Sequence, residues 1–300
     1  MFGLKRKPKR SDATRLRRVR AERRLRLPQG FNPWMVVAVV IGVLILTSSA
    51  VWGTRKLEAY VRARPEFQSP PRIVLTDAPD GLTERIMDIA SSAAAGPWID
   101  DAICQRIAEA LSQSAWVERV NSVRRFADGR VAVSCQYRSA TALVQSGGDF
   151  YLIDDRGVRL PGRYQYHPAF VLIQGVLAAA PAPGAAWPGA DVRAALAILD
   201  RLRDEPFFDQ IGGVLVENYG GRQDKRQAPI ELVTTPPPAA RRIWGSAPGE
   251  EIEENTVEQK IRLLGEIYRQ WGRIDAGHDI IDISTFPDRF AVRTSGGRPL

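Results

Sequence analysis

Between Trp34 and Trp52 the chain runs nineteen residues without a charge: Trp-Met-Val-Val-Ala-Val-Val-Ile-Gly-Val-Leu-Ile-Leu-Thr-Ser-Ser-Ala-Val-Trp. At the helical rise of about 1.5 Å per residue this stretch spans roughly 28 Å, close to the ~30 Å hydrocarbon core of a bilayer. A tryptophan closes each end, where an amphipathic ring sits well among headgroups. The expectation is one membrane crossing that divides the chain. A cleaved signal peptide is the alternative, with Ser48-Ser49-Ala50 as small residues for a peptidase. The preceding basic region is longer than a usual n-region, however, and nineteen residues exceed a usual h-region.

The charge distribution follows the same division. Residues 1–33 hold 12 Lys/Arg against Asp12 and Glu22, so the remaining 267 residues sum to −2 within the net +8 of the whole chain. The positive-inside rule then puts the basic tail in the cytoplasm and the body on the other side. Each basic residue near anionic headgroups contributes about 1 kcal/mol, so the bilayer itself is a partner. A near-neutral body argues against a broad nucleic-acid surface. Salt-dependent binding by the tail is what a nucleic-acid binder would show.

Past the apolar stretch, 53–71 reads as a helix extension followed by a Pro-containing linker. Arg72–Thr76 is β-rich. Leu82, Ile86, Ile89, Ala90 and Ala93 share a helical face, with Thr83 as the expected cap and Gly96-Pro97 as the stop. A second helix with Ile103, Ile107 and Leu111 inward is expected to open at Asp100-Asp101, where acids suit the dipole. Trp116–Phe126 is extended, Asp128-Gly129 is a hairpin turn, and Val131, Val133, Cys135 and Tyr137 alternate with polar residues. The segment therefore reads strand–helix–helix–strand–strand, two helices on one face of a small sheet.

The second half reads as short strands around two helices. Strands are expected at 141–145, 149–154 and 157–160, the latter two forming a hairpin around Asp155-Arg156-Gly157. The Ala/Pro/Gly-rich 174–190 reads as a loop. A helix capped by Asp191 follows, then strands at 213–218, 230–235 and 242–245. A last helix opens at Asn255, with Glu258 completing a capping box and a stripe of Val257, Ile261, Leu264, Tyr268 and Trp271. Two β-rich runs, 279–285 and 289–294, close the chain.

No nucleophile elbow, phosphate loop, dinucleotide glycine pattern or H-E-x-x-H occurs. Two cysteines and two histidines are too few for a zinc cage. Cys104 and Cys135 are spaced as core residues of the same helix–sheet layer, and a disulfide between them stays open in an oxidising compartment. The reading expects no enzyme, no cofactor and no small-molecule substrate. A membrane-tethered enzyme would need a convergent pocket of perturbed ionisable groups.

Three short runs carry a resemblance: Ala115-Trp-Val-Glu-Arg-Val120 with Arg124-Arg-Phe126, Phe150-Tyr-Leu-Ile-Asp-Asp-Arg-Gly157, and Asp282-Ile-Ser-Thr-Phe-Pro-Asp-Arg-Phe-Ala-Val-Arg293. In order and spacing they resemble the FtsQ/DivIB family of bacterial cell-division proteins. The chain departs from that family at Tyr137–Ala142 and at Asp288-Arg289. The resemblance implies an α+β chain: a cytoplasmic tail (1–33), one inner-membrane helix (34–52), a linker (53–71), a POTRA-like β-α-α-β-β domain (72–138), a β-rich domain with flanking helices (139–294) and a short tail (295–300). It also implies a scaffold role in septation. A small coiled-coil partner of the FtsB type, and through it FtsL, would be captured by strand addition at an edge formed by Phe286, Arg289, Phe290, Ala291, Val292 and Arg293. The alternative within the same architecture is a POTRA-bearing secretion or translocation component, which further POTRA units or a downstream β-barrel would favour.

Overall fold

The computed structural model describes residues 33–235, 239–285 and 289–293. The chain divides into two compact units, one ending at Arg64 and the other beginning at Pro65.

Among the described residues, the first unit holds the helix α1 (Pro33–Arg62). Its mean hydropathy reaches 2.4 in its most apolar window, long and apolar enough to cross a membrane. Leu46, Ile45 and Leu44 are all exposed. An apolar surface of this length suits a bilayer, where helices apolar on all sides are found. The hydroxyl of Thr47 is taken up by its own helix, donating to the Val43 carbonyl at 2.9 Å, as a polar group in a membrane-spanning helix must be. The ammonium of Lys56 sits 5.3 Å from the Trp52 ring, and the helix continues ten residues past that ring.

The second unit opens with a turn of helix at Pro65–Gln68. It then forms β1 (Arg72–Thr76), α2 (Asp80–Ala93), α3 (Ile103–Ser112), β2 (Val117–Arg125) and β3 (Arg130–Tyr137). Strand β3 is central, parallel to β1 and antiparallel to β2. Ile86 and Ala90 of α2 and Ile103, Ile107 and Leu111 of α3 meet Val131, Val133 and Cys135 in one buried cluster. The helical and period-two patterns thus converge on one core. Cys104 packs at its margin, and the structure holds both cysteines as free thiols.

The helix starts differ from expectation. Thr83 lies inside the first turn of α2 and donates its hydroxyl to the Pro79 carbonyl; the extended Pro79 takes the cap position. Asp100 and Asp101 precede α3. The Asp100 carboxylate accepts from the Ala102 amide and pairs with Arg106 at 2.7 Å, while Asp101 pairs with Arg125.

The larger part is one mixed sheet in the order β11-β10-β9-β8-β7-β6-β4-β5. Its strands are β4 (Ala142–Ser146), β5 (Asp149–Ile153), β6 (Val171–Gln174), β7 (Ile211–Leu215), β8 (Ile230–Thr234), β9 (Arg241–Gly245), β10 (Ile280–Asp282) and β11 (Ala291–Arg293). Helices α4 (Ala190–Leu202) and α5 (Val257–Trp271) bury Val192, Leu199, Leu264 and Ile267 with Trp244 and Phe207 in one core. Alternate residues Leu143, Leu152 and Leu172 fill a second cluster on the opposite face, which Trp116 helps to cover. Burial of both faces makes 142–144, 151–153 and 171–173 read as unbroken apolar runs.

Several local expectations shift. The 149–153 strand returns against β4 through Gly147-Gly148. The 157–160 segment gives only isolated bridges, Ile153 to Arg159 and Val158 to Ala186. Strand β6 was not expected at all. Asp191 lies inside the first turn and Gly189, with φ +108°, takes the cap position; the buried Asp191 carboxylate accepts from the Val192 and Leu177 amides and pairs with Arg222 at 3.0 Å. The capping box of α5 belongs to Thr256 and Gln259, one residue later than Asn255 and Glu258. All three buried clusters draw only on residues after Pro65. The second unit therefore has a complete core of its own.

Candidate interaction edge

The eight-stranded sheet ends on β5 at one side and β11 at the other, and the two ends are treated differently. Chain beyond β5 folds back along it, bridging Phe150 to Tyr164 and Ile153 to Arg159. Amides of Leu160 and Tyr164 donate to Leu152 and Phe150 at 2.8 and 2.9 Å. That edge is covered. Strand β11 pairs only with β10, placing Ala291, Val292 and Arg293 opposite Asp282, Ile281 and Ile280. Among the described residues no strand lies on its other side. An uncovered edge presents unpaired N–H and C=O groups to an incoming strand.

Three features hold this edge. The first is Asn255, fully buried at the entry to α5. Its Nδ2 donates to the Ile283 carbonyl at 2.9 Å and the Arg289 carbonyl at 3.4 Å, and its own amide donates to Ser284 at 2.9 Å. One side chain thereby ties both ends of the connection between β10 and β11. Second, Asp282 accepts from the Ser284 amide and hydroxyl at 2.9 and 2.6 Å, fixing the exit of β10. Third, the rings of Trp271 and Phe290 meet edge to face, 6.4 Å apart at 89°. Both remain exposed, at 44 % and 37 %.

Two buried cations lie behind it. Lys260 of α5 is fully buried, pairs with Glu254 at 3.1 Å and stands 5.3 Å from the Trp244 ring. Burial lowers its pKa, against the opposing pull of Glu254. Arg242 of β9 shares a register row with Ile281 and donates to the His278 carbonyl at 2.8 Å. Burial depresses its guanidinium to about 10, with Asp275 and Asp279 opposing.

Of the expected edge residues, the structure describes Arg289, Phe290, Ala291 and Val292, with Phe290 against Trp271, Arg289 and Phe290 exposed, and Ala291 and Val292 half-buried. Phe286 and the side chain of Arg293 lie outside the described residues, as does the basic tail. Trp34 and Trp52 both stand exposed on α1. Sequence reasoning missed Asn255 as a clamp and Lys260 altogether. The one available signal was two adjacent capping residue types, Asn255-Thr256, where a helix needs one. Away from the edge, a shallow cavity of about 410 Å³ between α4 and the 155–156 turn interleaves Asp155 and Asp200 with Arg156, Arg193 and Arg203. Among the described residues no group of three or more His, Cys, Asp and Glu is placed to hold a metal ion. No protein-family model matches this chain, and no curated protein matches it.

Proposed function

We propose that the chain is a non-enzymatic, single-pass membrane scaffold of the FtsQ/DivIB type that links cell-division proteins through its extracytoplasmic body. The observation that carries this reading is the asymmetry of the large sheet among the described residues, with one edge covered by its own chain and the other without a neighbouring strand beside an exposed aromatic pair. The membrane-length helix ahead of a strand–helix–helix–strand–strand unit supports it, since that element order is the one a POTRA domain has. In this reading the basic tail lies in the cytoplasm, and α1 crosses the inner membrane. The small sheet docks other divisome proteins. Strand β11 accepts a strand from an FtsB-type partner, with FtsL following through that partner.

The mechanism is strand addition. Backbone groups on the free side of β11 supply register, and Phe290 with Trp271 supplies an aromatic anchor of the kind that dominates interface energetics. The test is capture of the organism's FtsB-family protein by the full chain in detergent. Phe290→Asp should weaken capture at least about thirtyfold, the scale of a lost hot spot. Val292→Pro should abolish it, with far-UV circular dichroism unchanged in both. Capture at wild-type strength by both variants would refute the edge-strand reading.

A further inference from the structure

The helices of the small sheet cover one of its faces only, and the other face carries a distinctive set of side chains. Register and alternation put Val131, Val133 and Cys135 toward the helices, so Arg130, Ala132, Ser134 and Gln136 point away. Pairing then puts Arg72 beside Arg130, Arg124 beside Ala132 and Arg119 beside Gln136 on that same open face. All four arginines are exposed. The intervening positions are Val74, Thr76, Ser122 and Ser134, short side chains that leave the face flat. Glu118, in the bulge beside Arg119, is paired with Arg156 at 2.8 Å. Asp128 at the hairpin tip pairs with Arg130 at 2.6 Å, while Arg72 and Arg124 have no acidic partner among the described residues.

The body as a whole has the opposite sign. From Pro65 onward the chain holds 26 Lys/Arg against 31 Asp/Glu. A cationic face on an anionic body is therefore a local arrangement, not an overflow of positive charge. At its margin Phe126 is 43 % exposed, its ring 5.3 Å from the Arg130 guanidinium, and Val74 adds an exposed apolar side chain within the face.

We propose that this open face rests on an anionic phospholipid surface. Flatness and spread-out guanidinia match a plane of headgroup phosphates better than a single acidic strand, and an aromatic ring beside arginines suits the membrane interface. The tether agrees. Arg72 follows the end of α1 by ten residues, a connection of at most about 35 Å when fully extended, so a bilayer that holds α1 presents itself to the sheet at high effective concentration. The proposal needs α1 in a membrane and nothing of the partner-capture reading.

Because residues 65–300 have their own core, the test uses that segment, its fold checked by circular dichroism. Co-sedimentation compares vesicles of phosphatidylcholine with vesicles containing phosphatidylglycerol. The wild-type segment should partition onto the anionic vesicles and be released by salt. The triple variant Arg72→Gln/Arg119→Gln/Arg124→Gln should lose binding on the order of a hundredfold, since each basic residue near an anionic surface contributes about fivefold. Arg201→Gln/Arg203→Gln/Arg226→Gln removes the same charge elsewhere and should bind as wild type. Equal losses in the two triple variants would overturn the proposal, as would equal partition onto neutral and anionic vesicles. Binding to polyglutamate that depends on the three face arginines, with no vesicle binding, would make the face a protein-docking surface and overturn it as well.

Discussion

Asn255 offers the sharpest perturbation of the interaction edge. Its Nδ2 donates to two carbonyls, Ile283 at 2.9 Å and Arg289 at 3.4 Å, from a site with no solvent exposure. Asn255→Ala removes the donor and leaves the Ile283 carbonyl to find another in a buried setting. An unsatisfied buried acceptor costs about 1–3 kcal/mol; the longer Arg289 bond adds little. A loss near 2 kcal/mol corresponds to a fall in melting temperature of about 4–8 °C for a unit of this size. Asn255→Asp is the more informative change. It keeps the shape but turns an oxygen toward two carbonyl oxygens, so it should destabilise at least as much as alanine at neutral pH. Thermal unfolding by circular dichroism reads the stability. Hydrogen exchange of 289–293 reads the edge, which should exchange faster in both variants before global unfolding. Melting temperatures within 1 °C of wild type, or edge exchange unchanged, would refute the clamp.

Other outcomes follow from buried ionisable groups. Burial, with the Cys135 thiol adding to it, raises the Tyr137 phenol to about 12 from an ordinary 10.0. The folded state then keeps a proton that the unfolded chain gives up, so this contribution is complete below pH 10 and is lost as pH rises from about 10 toward 12. Tyr137→Phe should flatten the alkaline fall in stability across that window, and an unchanged pH profile would count against it. Lys260→Met leaves the Glu254 carboxylate without its buried partner and should cost about 3 kcal/mol in denaturant unfolding. The double variant Lys260→Met/Glu254→Gln should recover most of that loss; equal midpoints for single and double variants would contradict the pairing.

Much of the architecture was legible because its signals are periodic. Ile103, Ile107 and Leu111 fall four residues apart, and Val131, Val133 and Cys135 two apart, and each set is buried as its spacing implies. The uncharged run between two tryptophans likewise gave a helix apolar on all sides. Helix starts were less legible. Thr83, Asp191 and Asn255 all have capping side chains, yet in each case a tertiary or backbone partner claims the group: the Pro79 carbonyl, the Arg222 guanidinium, and the carbonyls of Ile283 and Arg289. Capping propensity is local, and a buried partner outweighs it. Strand β6 escaped notice because Val171, Leu172 and Ile173, buried on both faces, carry no alternation. Of the candidate site, the strand residues were legible from composition, but its clamp was not. Asn255 lies 28 residues from the Ile283 carbonyl it holds, and no sequence period links them.

The claim most in need of a direct test is that β11 is where a partner strand adds. Hydrogen exchange of the full chain in detergent, with and without the organism's FtsB-family protein, resolves this at the backbone. Strand addition on the free side of β11 should slow exchange at amides within 290–293, with little change at the covered β5 edge. Protection that bypasses 290–293 and appears instead on the small sheet or on the β5 side would contradict the account.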